Sequence, residues 1–369
     1  MKKHLLILSF SFLTLLTVSG QSFNDALKVL AEAKESWPTN AISTLDTLAG
    51  AIDAGQYGNL KESVPGNEYD LFMSDLYFTL GQLYYFVSSY DKALAALTAA
   101  LSYNEAVTDK VYIQLGFTYR QLKDYENAMA SYNKALELNP ETTDPVNAYK
   151  AEIYMYMGNY GQAVSEAELA AKSKNSPSKS VVAIYLSRAY LAGKHYKKAV
   201  DAVDYAFKHY DIHPNIAPQL YAVRGEAFLQ QDNLTKAKEN AAAGIKINKN
   251  AFDILFLEAL IAEKENNTNE ALQKLSAIID NSFDRFYIAY RKRAFIYAVT
   301  GAYQKALADL ESYTAAAPAT PYYYDAEFYT ARAVTLAGLN RKDEARAARV
   351  RAVELSASPE SLALIDRLL

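Results

Sequence analysis

The sequence predicts an all-α fold: about eight stacked helical hairpins with helical caps, about 18–20 helices in all, and no sheet. Three observations point there. A small residue returns along the chain as Ala93, Ala128, Ala163, Ala199, Ala237, Ala271, Ala306 and Ala345, at gaps of 35, 35, 36, 38, 34, 35 and 39. Within one copy, YIQLGFTYRQLKDYENAMASYNKALELNP at residues 112–140, Tyr112, Leu115, Gly116 and Tyr119 recur three and four apart and so share a helix face. Ala128, Tyr132 and Ala135 do the same on a second helix, across the polar, turn-like KDYEN. Finally, 369 residues at 51% apolar exceed what one globular core holds, which favours an array.

The elements follow in order. Residues 1–20 read as a secretory signal peptide: Lys2 and Lys3 precede an apolar run at 5–18 that is short for a bilayer span, and Val18 and Gly20 supply the small residues of a cleavage site. Cleavage after Gly20 makes Gln21 the first residue and takes the formal charge from −4 to −6. Residues 21–73 form an N-terminal cap. Two amphipathic helices at 22–36 and 40–54, split by Trp37-Pro38, lead into a Gly-rich polar loop at 55–69. The array occupies 74–357. Its first copy places Tyr77, Leu80, Gly81, Tyr84, Tyr90, Ala93, Leu97 and Ala100 in the slots of the quoted stretch, and its seventh has Tyr290, Ala294, Tyr297, Gly301, Tyr303, Ala306 and Leu310. Pro140 and Pro318 end second helices, because proline lacks the N–H and clashes with the preceding turn. At 358–369, Ser358 as N-cap and Pro359 at the first helical position open a short capping helix. Its Leu362, Ile365, Leu368 and Leu369 either pack on the eighth copy or pair with another chain.

The 30 tyrosines are read as scaffold. Gly116 and Ala128 let two helices approach, and the flanking rings fill the space around them, each worth roughly 1.5–3 kcal/mol when buried. Tyr85 and Tyr156 lie outside those slots and are freer to act.

A period near 34 with this pattern resembles the tetratricopeptide repeat over residues 74–357. The resemblance implies a right-handed α-α superhelical solenoid whose first helices form a concave groove. The implied groove residues are Phe78, Gln82 and Tyr85; Ile113, Phe117 and Arg120; Glu152 and Met155; Arg188; Glu226; Phe256; and Arg291 and Phe295. Several of them are expected to pack against adjacent first helices instead. The mixture of apolar side chains and isolated charges suits an extended peptide or an amphipathic helix. One subtype of the family grips a C-terminal carboxylate with Lys and Asn. Phe78, Gln82, Ile113 and Phe117 stand in those places here, which argues against that mode.

Other chemistry finds little support. With no cysteine, disulfides, thiolate nucleophiles, Cys-based zinc sites and Cys lipidation are excluded. A charge of −4 gives no footprint for nucleic acid. His209 and His213 flank Asp211 in HYDIHP, but Pro214 follows at once, so a polar helix end is preferred to a metal site. No G-x-S-x-G, G-x-G-x-x-G or Walker A pattern occurs, and no catalytic residue, metal or cofactor is assigned. The expected function is a non-catalytic periplasmic or secreted scaffold for a protein or peptide, with self-association through the C-terminal helix as a further possibility. The alternatives are a carbohydrate-capture module using aromatics such as Tyr85 and Tyr156, and an enzyme on helical hairpins.

Overall fold

The computed structural model describes residues 23–36, 40–62, 64, 67–104, 109–172, 179–281, 287–317 and 324–369. Among them are nineteen α-helices and no strand. The proposed signal peptide, Trp37-Pro38 and Pro318 lie outside the described residues. The chain divides into two compact units between Thr143 and Asp144, a division the sequence reading of one continuous array did not foresee.

The first unit contains α1 (Phe23–Ser36), α2 (Ala41–Asp53), α3 (Glu68–Phe86), α4 (Tyr90–Tyr103), α5 (Asp109–Gln121) and α6 (Tyr125–Leu138). α1 and α2 form the expected cap hairpin. The following segment is more structured than its composition suggests. Gly58–Glu62 is a 3-10 turn, and Tyr57, Leu60 and Val64 are buried against Phe72, Met73 and Leu76 of α3. The rings of Tyr57 and Phe72 meet edge to face at 5.4 Å. This apolar triplet is spaced irregularly, so periodicity did not reveal it.

The second unit runs from α7 (Thr143–Tyr156) through α8 (Tyr160–Lys172), α9 (Lys179–Ala192), α10 (Tyr196–His209), α11 (Ala217–Leu229), α12 (Leu234–Ile247), α13 (Phe252–Lys264), α14 (Thr268–Asn281), α15 (Ile288–Val299), α16 (Tyr303–Ala316), α17 (Ala326–Gly338) and α18 (Lys342–Glu354) to α19 (Pro359–Asp366). The Ser358 side chain accepts the N–H of Ser361 at 3.2 Å, as an N-cap should. Leu362, Leu364, Leu368 and Leu369 pack with the fully buried Ile365 against Ala333, Val334, Ala348 and Ala352. Arg349 grips Asp366 with two hydrogen bonds at 2.5 and 3.0 Å. The last helix is therefore covered by its own chain.

All eight marker alanines are completely buried. Every tyrosine in the repeat slots is buried or half-buried; Tyr132 and Tyr313 are fully enclosed. One correction concerns the glycines. A Cβ added to Gly116 would meet the Tyr132 ring at 2.3 Å, and one added to Gly81 would meet Leu97 at 2.7 Å. The glycine makes room for a side chain of the partner helix as well as for close backbones.

The turn inside each hairpin is set by one left-handed residue five positions before the marker alanine: Ser88, Lys123, Gly158, Lys194, Asp232, Asn266, Gly301 and Asn340, with φ between 56 and 80°. Each closes its helix with the paired hydrogen bonds of a Schellman turn; at Lys194 these are Lys194 N–H to Leu191 O at 3.0 Å and His195 N–H to Tyr190 O at 2.8 Å. A lysine pays a Cβ penalty there that glycine avoids. Lys194→Gly is expected to stabilise by about 0.5–1 kcal/mol, read as a higher denaturation midpoint at unchanged m-value, whereas Gly158→Lys should lower it.

Candidate functional site

Two surfaces carry the candidate residues, one in each unit. In the first unit α3 and α5 bring Tyr85, Phe117 and Arg120 together. The rings of Tyr85 and Phe117 lie 6.4 Å apart, and Phe117 meets Tyr132 edge to face at 6.0 Å. The Arg120 guanidinium sits 5.7 Å from the Phe117 centroid, and Gln121 Nε2 donates to the Tyr85 hydroxyl at 3.2 Å. Tyr85 also leans on Tyr90 at 5.6 Å. All three candidates are half-buried, which holds them in place while leaving part of each on the surface. Gln82 and Ile113 are half-buried as well; Phe78 packs on Leu97, Val111 and Leu115 and belongs chiefly to the core.

In the second unit the predicted groove residues are drawn into an ionic network. Arg188 on α9 donates to Asp253 at 2.9 Å and to Gln219 at 3.1 Å. Arg291, 9% exposed, bonds Asp325 at 2.7 Å and approaches Glu327 at 3.7 Å. Lys292 bridges Glu263 at 2.8 Å and Glu327 at 2.7 Å, with its ammonium 5.3 Å from the Phe295 centroid. Glu152 is 9% exposed and accepts the Tyr156 hydroxyl at 2.8 Å. Met155, expected in the groove, is 5% exposed and packs among Ala151, Ala163, Ala167 and Ala189. Phe256 packs against the cluster of Ala259, Leu275 and Ile278. Tyr156 is no free platform, since it lies against a buried cluster that includes Tyr313 and Phe328.

Sequence reading missed Lys292, Asp253, Asp325 and Glu327. The last three sit near the starts of their helices, a turn or two before the packing slots, and Asp325 is also an N-cap accepting the Phe328 N–H at 3.0 Å. That capping pattern was the available signal.

Glu226 on α11 lies amid this network, facing Arg188 of α9, Asp253 of α13, and Arg291 and Lys292 of α15. Burial pushes its carboxyl up to about 7 and Asp253 adds to the rise, while Lys292, Arg188 and Arg291 only partly offset them. Glu327 ends below the usual carboxylate range: burial raises it, but Lys292 and Arg291 outweigh that cost. A carboxyl with a raised folded-state pKa favours the fold below its ordinary pKa of 4.5, and that contribution is lost as pH rises through about 7. Glu226→Gln should therefore stabilise by about 1–2 kcal/mol at pH 8 and do almost nothing at pH 4.5. Thermal melts of both proteins across that range are the check; an equal effect at both ends would remove the titration argument.

The histidines are engaged locally. His213 Nδ1 accepts the N–H of Asn215 at 3.2 Å, and His209 stacks on Tyr205 at 4.3 Å. Among the described residues no cluster of three metal-ligating side chains occurs, and no helix is long and apolar enough to cross a membrane.

A tetratricopeptide-repeat family model matches residues 74–107 and 109–142, and a coatomer epsilon subunit model matches residues 145–285. No curated protein matches the sequence significantly. Among solved structures, IFIT1 crystallised with m7Gppp-AAAA is 10% identical at a TM-score of 0.57, covering 96% of this chain and 87% of its own. A tetratricopeptide repeat protein from Parabacteroides merdae is 16% identical at 0.46, covering 70% and 98%. The C-terminal part of a repeat protein from Cytophaga hutchinsonii is 17% identical at 0.44, covering 80% and 97%. At 10% identity the likeness to IFIT1 speaks to the fold alone.

Proposed function

We propose that this chain, which carries tetratricopeptide repeats, is a non-catalytic scaffold outside the cytoplasm that holds an extended peptide or a helix of a partner protein. The observation that carries this reading is the platform of Tyr85, Phe117 and Arg120. Two rings and a guanidinium, fixed by their neighbours yet half on the surface, form an anchor that loses little side-chain freedom on binding. The second unit supports placing the contact here, because its cations Arg188, Arg291 and Lys292 are already paired with carboxylates. The carbohydrate reading loses one of its two aromatic platforms, Tyr156, to internal packing.

The location rests on the leader: two lysines, a short apolar run, small residues at the cleavage site and no cysteine to lipidate. Recovery of the protein in an envelope or culture fraction, with Gln21 as its first residue, is the expected result of fractionation and N-terminal sequencing.

The binding test uses the mature chain. Envelope extract passed over it should leave a polypeptide, identified by mass spectrometry. Phe117→Ala with Arg120→Ala should then weaken that partner by about 2 kcal/mol, roughly 30-fold, with the helical signal intact. Retention of oligosaccharide without polypeptide would overturn the class of ligand. Unchanged affinity in the double variant, with loss on deleting Pro359–Leu369, would move the site to the C-terminal end.

A further inference from the structure

In a simple stack each hairpin touches only its neighbours. The second unit departs from this along its inner wall. Tyr156, the last residue of α7, packs against the buried cluster of Ala294, Leu310, Tyr313, Ala317, Phe328 and Ala331, which belongs to α15, α16 and α17. Tyr160, opening α8, lies within electrostatic reach of Asp325 and Arg291. Arg188 of α9 reaches past α11 to bond Asp253 of α13 at 2.9 Å. Two contacts and one electrostatic interaction thus join hairpins that are not adjacent in sequence.

The chemistry at the Tyr156 contact is specific. Tyr313 and Phe328 present rings 5.6 Å apart, and Tyr290 and Phe295 pack on the same cluster. The Tyr156 hydroxyl donates to Glu152 Oε1 at 2.8 Å, one turn earlier on α7. An aromatic floor beside a carboxylate acceptor matches a phenol on both its apolar face and its polar tip. We propose that α15, α16 and α17 form a socket for a phenol ring and that Tyr156 occupies it as a latch closing the second unit. The reading is independent of the Tyr85–Phe117–Arg120 platform.

The absence of cysteine allows clean labelling. Met157 and Val299, 44% and 42% exposed, follow the latch and end α15, and each is replaced by cysteine carrying a spin label. The full mature chain should give one narrow distance distribution. Tyr156→Ala should broaden it toward longer distances. Adding p-cresol should restore the narrow distribution to the variant and raise its Tm by about 2 °C or more, while leaving the parent unchanged. Tyr156→Phe, which keeps the ring and loses the bond to Glu152, should stay closed. Should Tyr156→Ala fail to fold, Tyr156→Leu provides the same comparison. A narrow distribution in the truncated variant, or no response of its Tm and distances to p-cresol, overturns the socket.

Discussion

Asp309→Ala is expected to cost about 3–5 kcal/mol, among the largest losses available from a single side chain. Asp309 lies on α16 at 5% exposure and receives two hydrogen bonds from Arg293 of α15, both at 2.7 Å. Arg293 also donates to Ser276 at 2.9 Å and sits over the rings of Tyr290 and Tyr297 at 5.9 and 5.8 Å. Deleting the carboxylate leaves a guanidinium enclosed with only a hydroxyl and two ring faces for compensation. The pair itself is a different matter, since its attraction is largely spent on desolvation. Arg293→Met with Asp309→Leu should therefore recover most of the loss. Urea titrations of the two single variants and the double variant decide this. A loss below about 1 kcal/mol for Asp309→Ala would mean that Arg293 escapes to water.

The same clasp recurs down the second unit with its chemistry varied. Lys150 pairs with Glu166 at 2.9 Å, Arg224 donates to Asn240 at 2.7 Å, and Glu258 pairs with Lys274 at 2.9 Å in reversed polarity. In the first unit the equivalent places hold Leu80 with Ala96 and Leu115 with Ser131. This explains what the sequence revealed and what it concealed. Helix positions were legible because the marker alanines and the 3.6-residue apolar period are local signals, and each alanine is indeed at zero exposure. The clasps were not legible. A charge one position from a packing slot reads as a solvated face until the partner helix is known to carry its complement.

The site divides along the same line. Tyr85, Phe117 and Arg120 were readable as a cluster because they occupy consecutive turns of neighbouring first helices. Arg188 meets Asp253, and Tyr156 meets a cluster on α15, α16 and α17, across hairpins that are not neighbours in sequence. No periodicity records a contact between hairpins that are not neighbours. Met155 was misplaced for a related reason: its unbranched side chain fills the alanine-lined gap left by Ala163, Ala167 and Ala189.

Gly116→Leu should destabilise by about 3 kcal/mol or more, and the chain itself supplies the control. Even a Cβ at Gly116 would stand 2.3 Å from Tyr132 Cε1, 2.5 Å from Cδ1 and 2.7 Å from Cζ. Tyr132 is fully buried and edge-on to Phe117 at 6.0 Å, so its ring cannot swing away without unpacking the platform. Elsewhere in the array the pairing of these two slots is balanced differently. In two copies the first slot holds alanine and the second leucine, Ala259 with Leu275 and Ala294 with Leu310, and all four are buried. Gly116→Ala alone should cost about 1–3 kcal/mol. Gly116→Ala together with Tyr132→Leu reproduces the Ala294–Leu310 pair and should recover more than half of that loss, a favourable coupling of at least about 1 kcal/mol in a double-mutant cycle. Additive losses in that cycle would show that the glycine is required by the backbones alone, and that the ring above it is incidental.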